Sequence, residues 1–563
     1  RVELSAHYDQ LAGREHHFLM FPYIKTDTFM KRIVYSILAL LSLGVTSCSD
    51  FLDTVPHDQL SPATTWKNAD EVDKFLVTCY QGWGNLYTNV LYMDAASDIA
   101  YNNFSWEGGQ MMGNGLWTAT SPGNSLYDFW QISACNNVVD NIDKAKISDD
   151  KVKNNLLGQA LAIRAFTYMN MNFWYGGVPI IEHQYQNAEA AKVPRNTEAE
   201  VWDYFDKDID RAISLLNNKP AARGRIAKGA ALAIKMRAHL YRGNWQKAAD
   251  AAQEIIALGQ YELDPSYAKI FTLEGKNSKE IIVGEDHEKS KHSLYTIGQF
   301  YNNGDGGWSS VVPTQHLVEI YPMEDGLPQE DSPLYDATHP FNKRDPRMEM
   351  SILYPGCDYW DGVYNTLDKV IDGKNNTNFP EAADNASKTG LTWAKYTAPL
   401  KQYDDMWSAD PYVILFRYAE VLLTRAEALN ELNGPSAEVY NLIDQLRTRV
   451  GMPAVDRTRY ATKDALREVI HRERTVELAG EGFRRADIVR WKDTSGQMLA
   501  MKVLNETLTR ISGTIDMNAA TAPGLRCTVS GNRIKIEDRL FKPTFRYFPI
   551  PQSAIDRNPK LKQ

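Results

Sequence analysis

Cysteine is scarce in this chain: five in 563 residues, at Cys48, Cys79, Cys135, Cys357 and Cys527. Spread this widely, and with no C-x-x-C spacing, they form no disulfide framework. A Cys79–Cys135 bridge stays open, although buried free thiols are the expectation. Positive charge is also short. Lys and Arg total 62 against 71 Asp and Glu, a net of −9, which argues against a binder of nucleic-acid backbone. A membrane-spanning run is missing: the apolar stretch Ile33 to Val45 is about 13 residues, and a spanning helix needs about 20.

Catalytic signatures are missing too. There is no P-loop and no G-x-S-x-G elbow. "DGKNNTN" (372–378) lacks the ordered acids and final Glu of a calcium loop. "HEKSKH" (287–292) superficially resembles a zinc-protease motif. That motif needs two histidines four apart on a helix. His287 and His292 are five apart, a spacing that turns them away from each other, so no metal is expected there. "NNGDGGW" neither follows a strong strand nor opens a helix, so it is no nucleotide fingerprint. With 71 acids, paired carboxylates stay open. These absences argue modestly against an enzyme.

What is present begins at Met30, with "MKRIVYSILALLSLGVTSC". Lys31 and Arg32, an apolar stretch, then small Thr46 and Ser47 make a three-part bacterial secretory signal. "VTSC" resembles a lipobox, which would leave a lipidated Cys48 as the first mature residue; the alternative is an ordinary signal with an incidental cysteine. Residues 1–29 do not fit this scheme and are read as a mis-assigned upstream start or an appended segment. Residues 30–47 are the signal. Residues 48–62, acidic and with two prolines, are a tether. Residues 63–563 are one large mixed domain, in which 63–270 and 411–563 are helical and 271–410 is loop-rich.

The helical parts carry clear periodicity. Ala227, Ala231, Ile234, Ala238 and Tyr241 step by four and three; Gly243 breaks the pattern; Ala248, Ala251 and Ile255 resume it. This is a helix-turn-helix unit like a tetratricopeptide repeat. A second unit is predicted with Ile414, Tyr418, Leu422, Leu429 and Leu432 on its first helix, and Val439, Leu442, Ile443, Leu446 and Val450 on its second. Further helices are predicted over 125–145, 153–175 and 198–217. Between 271 and 410 the Gly-, Asn-, Asp- and Pro-rich stretches read as loops with short strands. The cluster "HRERTVELAGEGFRRADIVRW" (471–491) interleaves bases with Glu473, Glu477, Glu481 and Asp487. Arg472, Arg474 and Arg484 complete the set, and opposite charges at helical spacing predict internal ion pairs.

Several stretches together resemble one family. "LAIRAFTYMNMNFWYGGVPII" (161–181), "KRDPRMEM" (343–350), "FRYAEVLLTRAEALNELNG" (416–434), "LIDQLRTRVGMP" (442–453), the 471–491 cluster and "FPIPQSAIDRNPKLKQ" (548–563) resemble the SusD/RagB family of Bacteroidetes surface lipoproteins. The likeness runs from Cys48 to the end. It implies a mainly α fold, with four tetratricopeptide-like helix pairs supporting a loop-rich ligand face and short strands. It also implies lipidation of Cys48, a cell-surface place on the outer membrane, and a TonB-dependent SusC-like barrel as partner. The family captures oligosaccharides, or peptides in some branches, and offers no catalytic residues and no cofactor to carry over.

A sugar binder needs exposed aromatic platforms with a few polar side chains beside them. Two loops supply that mixture: 94–110, with Asp98, Asn102, Asn103 and Trp106, and 301–310, with Tyr301, Asn302, Asn303, Asp305 and Trp308. Trp360 and Trp407 are further candidates. Glycan capture is the leading reading. Peptide capture, a surface glycoside hydrolase and a purely structural assembly protein are its rivals.

Overall fold

The computed structural model describes residues 65–81, 91–360, 362–399 and 401–562. The predicted signal, Cys48 and the tether lie outside them. The principal helices are α1 (Ala69–Gln81), α2 (Trp130–Asn141), α3 (Asp150–Tyr175), α4 (Glu198–Leu215), α5 (Lys228–Tyr241), α6 (Trp245–Ala257), α7 (Thr296–Phe300), α8 (Tyr418–Asn433), α9 (Ala437–Arg449) and α10 (Lys463–Glu477). Local chemistry sets their ends. Asp149 accepts the Lys151 N–H at the start of α3, and Gly176 closes that helix at φ 66°. Thr197 and Glu200 form a reciprocal capping box on α4. Ser436 caps α9 and Thr462 caps α10.

These helices stack in neighbouring pairs. α3 lies against α2 and α4, α5 against α6, and α8 against α6, α9 and α10. In α5 and α6 many of the buried residues are small, among them Ala231, Ala238, Ala248 and Ala252. Small side chains let the helix axes approach closely and fill the space without voids. The result is mainly helical, as the periodicity predicts, with the tetratricopeptide-like pairing that the family resemblance implies.

The principal strands are β1 (Ala100–Asn102), β2 (Ile281–Asp286), β3 (Val311–Pro313), β4 (Asp358–Tyr359), β5 (Gly362–Val363), β6 (Tyr412–Arg417), β7 (Thr507–Ile515) and β8 (Cys527–Asp538). They pair two by two, always antiparallel: β1 with β3, β2 with β6, β4 with β5, β7 with β8. Two differences from the sequence reading follow. Ile414 belongs to β6 and not to a helix, which starts at Tyr418. "YVILFR" is buried at every position, and a short, continuously buried β-branched and aromatic run is strand-like. The helical character expected after 411 is also interrupted. "TLTRISGTI" and "CTVSGNRIKIED" form a hairpin over 507–538, their alternating β-branched residues overriding the helical surroundings.

Most core side chains form one continuous buried cluster running from α1 through α5 into the loop-rich part; a second fills the space between α8, α9 and α10. The four described cysteines are buried and free.

The 471–491 cluster folds inward, as its interleaved charges predict. Arg417 donates to Glu280 Oε1, Glu477 Oε1 and Glu481 Oε2, each at 2.7 Å. Arg347 reaches Glu477 Oε2 at 2.9 Å and Glu473 Oε1 at 2.5 Å. Arg449 pairs with Glu280 at 3.0 Å and also with Glu477, and Lys395 holds Glu481 at 2.7 Å. Arg474 pairs with Asp487 at 2.9 Å. Arg472 alone stays near the surface, 3.9 Å from Glu330. Burial opposes the charge on Glu477 and Glu481, but the surrounding cations outweigh it and hold both carboxyls below their usual range. The network ties α10 to β6, α9 and the loop-rich part.

Candidate functional site

The two aromatic loops named from composition meet at the β1–β3 seam. Ala100 faces Pro313, Tyr101 faces Val312 and Asn102 faces Val311. Beyond the strands, the Asn103 N–H donates to the Ser310 carbonyl at 2.8 Å. Side chains reinforce the seam. Asn102 Nδ2 donates to Ser310 O at 2.7 Å and to Glu107 Oε2 at 2.6 Å. Glu107 also accepts from Ser310 Oγ at 2.9 Å, Gln299 Nε2 at 3.2 Å and Tyr92 OH at 3.3 Å. Burial pushes this carboxyl up.

Above the seam runs a line of aromatic rings. Phe104 is buried, and Trp106 leans against it with centroids 4.4 Å apart. Trp308 stands edge-on to Phe104 at 6.4 Å and lies 5.1 Å from Trp407. Trp106 is 73% exposed and Trp308 36%; Trp407 is half-buried. Two glycines make the arrangement possible. A Cβ on Gly298 would lie 2.6 Å from the Trp407 ring, and one on Gly307 would lie 2.3 Å from the Tyr301 carbonyl. Only glycine permits either approach.

Asp305 fastens the fourth tryptophan to the same loop. Its Oδ1 accepts from Trp360 Nε1 at 2.9 Å and Tyr359 OH at 2.6 Å, and its Oδ2 from Asn302 Nδ2 at 2.7 Å. Trp360 sits at the tip of the β4–β5 hairpin with φ 52°. Two-residue hairpin turns call for positive φ, yet a bulky aromatic there is strained and needs such external support. Lys401 lies 3.9 Å from the Trp360 ring centroid, a cation–π contact.

The remaining candidates separate by burial. Asn103 and Asn303 are half-buried, spanning to Ala386 and Lys388 and to the Thr377 carbonyl respectively. Four others face inward, and their expected place at a ligand surface is corrected. Asp98 is held by Arg484 through two bonds of 2.9 and 2.7 Å, with His316 at 3.1 Å. Asn102 and Asn302 spend their amides on the hydrogen bonds given above. Tyr301 is buried, its hydroxyl donating to the Thr397 carbonyl at 2.9 Å. All four brace the loops from beneath.

Other residues of the face carry no loop signal in the sequence. Phe104 and Glu107 stand out only once the seam is closed, and Lys401 only through Trp360. A separate groove of about 620 Å³ is lined by Leu263, Pro265, Asn441 and Gln445 among others. It shares no residue with the aromatic line.

Comparison with known proteins agrees with this architecture. The SusD family profile matches residues 279–563. A second profile, described as starch-binding and associating with the outer membrane, matches residues 50–240. The chain belongs to the SusD family. Among curated proteins it is similar to SusD-like protein P38 of Formosa agariphila, 26% identical over 490 residues that cover 82% of this chain and 91% of that one. Among solved structures it resembles a SusD-like carbohydrate-binding protein of Bacteroides fragilis, with a TM-score of 0.77 and 26% identity over 88% of this chain and all of that one. It shares its fold with surface glycan-binding protein A of Bacteroides uniformis, at a TM-score of 0.65 and 18% identity, covering 87% of this chain and 98% of that one.

Proposed function

We propose that this protein is a cell-surface lipoprotein that captures oligosaccharides and delivers them to a TonB-dependent, SusC-like barrel in the outer membrane. Cys48 carries the lipid, and the acidic segment after it is the tether. The observation that carries the reading is the aromatic line itself: Trp106 and Trp308 remain exposed while Phe104, Glu107 and the β1–β3 seam fix them from below. Flat, pre-positioned rings suit the C–H faces of sugars, and fixing them in advance lowers the ordering cost of binding. Membership of the SusD family, and a relative described as carbohydrate-binding, support the same ligand class.

We read the site as capture without chemistry. Its two carboxylates, Glu107 and Asp305, each accept several donors that hold the loops in place. The test is calorimetric titration of the protein with a panel of oligosaccharides and peptides, with the same mixtures examined by chromatography. Saturable heat with an intact sugar is expected, weakened in Trp106→Ala and in Trp308→Ala, since each removes a pre-positioned ring. New products would replace capture by hydrolysis, and heat with peptides alone would replace the sugar by a peptide.

A further inference from the structure

The segment "EDHEKSKH" (285–292) folds in a way its spacing does not suggest. It is not a helix. Glu285 lies near the end of β2, and the next residues turn back tightly: the Glu288 N–H donates to the His292 carbonyl at 3.1 Å and the His292 N–H to Glu288 at 2.9 Å. Ser290 takes φ 67° within the turn. The reversal lays the two imidazoles on each other, with centroids 4.6 Å apart and planes 17° from parallel. The expectation that five-residue spacing separates His287 from His292 holds for a helix and fails for this turn. Glu285, two residues before His287, shares its side of the strand.

Three ligand-type atoms therefore converge. Glu285 Oε1 is 3.1 Å from His292 Nε2 and 3.8 Å from His287 Nε2, and all three lie within 4.8 Å of one another. His287 Nδ1 is 3.1 Å from the His292 carbonyl, so Nδ1 carries the proton and donates. That leaves the Nε2 lone pair free. His287 is only 4% exposed, and its Nε2 has no hydrogen-bond partner. A buried ring nitrogen without a partner costs free energy unless something else fills the position. An imidazole oriented through one nitrogen by a backbone carbonyl, with the other aimed at a carboxylate and a second imidazole, is how proteins prepare a metal ligand.

We propose that Glu285, His287 and His292 form a site for a divalent transition-metal ion of the Zn²⁺ class. Two imidazoles and one carboxylate supply three positions of a tetrahedral site and leave a fourth for water. Nitrogen-rich donors favour such ions over Ca²⁺ or Mg²⁺, which take oxygen. Metal–nitrogen bonds near 2.0–2.1 Å require the donors to draw in slightly, and the exposed His292 ring is free to make that movement. A bound ion would cross-link the turn to β2. The chain then runs through Leu294, paired with Ala409, into α7 beneath Trp407, so the ion would brace one end of the aromatic line.

The test is titration of chelator-stripped protein with ZnCl₂ by calorimetry, paralleled by Co²⁺ and visible absorption. One saturable site is expected, with the d–d bands of tetrahedral Co²⁺. His292→Ala and Glu285→Gln should lose both signals, while His183→Ala, which alters an exposed histidine elsewhere, keeps them. His292 is exposed, so its variant should retain the melting temperature of the metal-free protein. Absence of saturable Zn²⁺ binding, or binding that survives in both His292→Ala and Glu285→Gln, would overturn the site.

Discussion

Replacing Arg417 by Met isolates the buried ion network. Met keeps much of the side-chain volume and deletes the guanidinium that Glu280, Glu477 and Glu481 share. Arg347, Arg449 and Lys395 remain, so the carboxylates lose one partner rather than all. Removing one member of a buried pair costs about 3–5 kcal/mol, because the other charge stays desolvated. At about 2.1 cal/mol/K of unfolding entropy per residue, roughly 500 folded residues give about 1 kcal/mol/K, hence a fall of about 3–5 °C in Tm. The pH dependence sharpens the expectation. In the parent protein Glu481 is held below its usual range despite burial; its contribution is present above the unfolded value near 4.3 and is lost as pH falls through the lower folded value. Without Arg417 only Lys395 opposes burial at this carboxyl, and the folded value is expected to rise above the unfolded one. The variant's penalty should then shrink as pH falls from about 7.5 to about 5. Scanning calorimetry of both proteins at the two pH values measures it, and Arg417→Met combined with Glu481→Gln should recover more than half the loss. A Tm change under about 1 °C, or a gap that ignores pH, would refute this account of the network.

Asp305→Ala should cost about 1–3 kcal/mol by stranding Tyr359 and Asn302, and should weaken oligosaccharide binding further by releasing Trp360. Thermal melting reads the first effect and calorimetric titration the second; unchanged affinity would remove Trp360 from the site. Cys48→Ala should move the protein from the membrane fraction to the soluble fraction of expressing cells, and its retention in the membrane would sink the lipid anchor.

The helical framework was legible because alanine and leucine spacing reports burial directly. Ala231, Ile234 and Ala238, then Ala248, Ala251 and Ile255, recur at helical intervals and are all buried. That the 471–491 cluster forms an internal ion network was legible from its interleaved charges, but most of its partners were not: Arg474 pairs with Asp487 inside the cluster, whereas Glu477 and Glu481 are held by Arg347, Arg417, Arg449 and Lys395 from elsewhere in the chain. The aromatic face was less legible. Loop composition pointed to the two segments that meet at the seam, but it could not tell outward from inward polar residues. Asp98 turns inward because its partner, Arg484, is 386 residues away, and Asn102 because Ser310 is 208 away. His287 and His292 show the opposite error. Five-residue spacing parts two side chains on a helix, and a tight turn follows another rule.

The β1–β3 seam joins segments separated by some two hundred residues, so the aromatic face proposed to take the ligand is not assembled in a chain that lacks either segment. A nascent polypeptide that ends before Val311 carries Trp106 and its neighbour Phe104 without the strand that pairs with Ala100–Asn102. Occupancy of the face is therefore a readout of completed folding: a sugar would stabilise only molecules whose distant halves have already met.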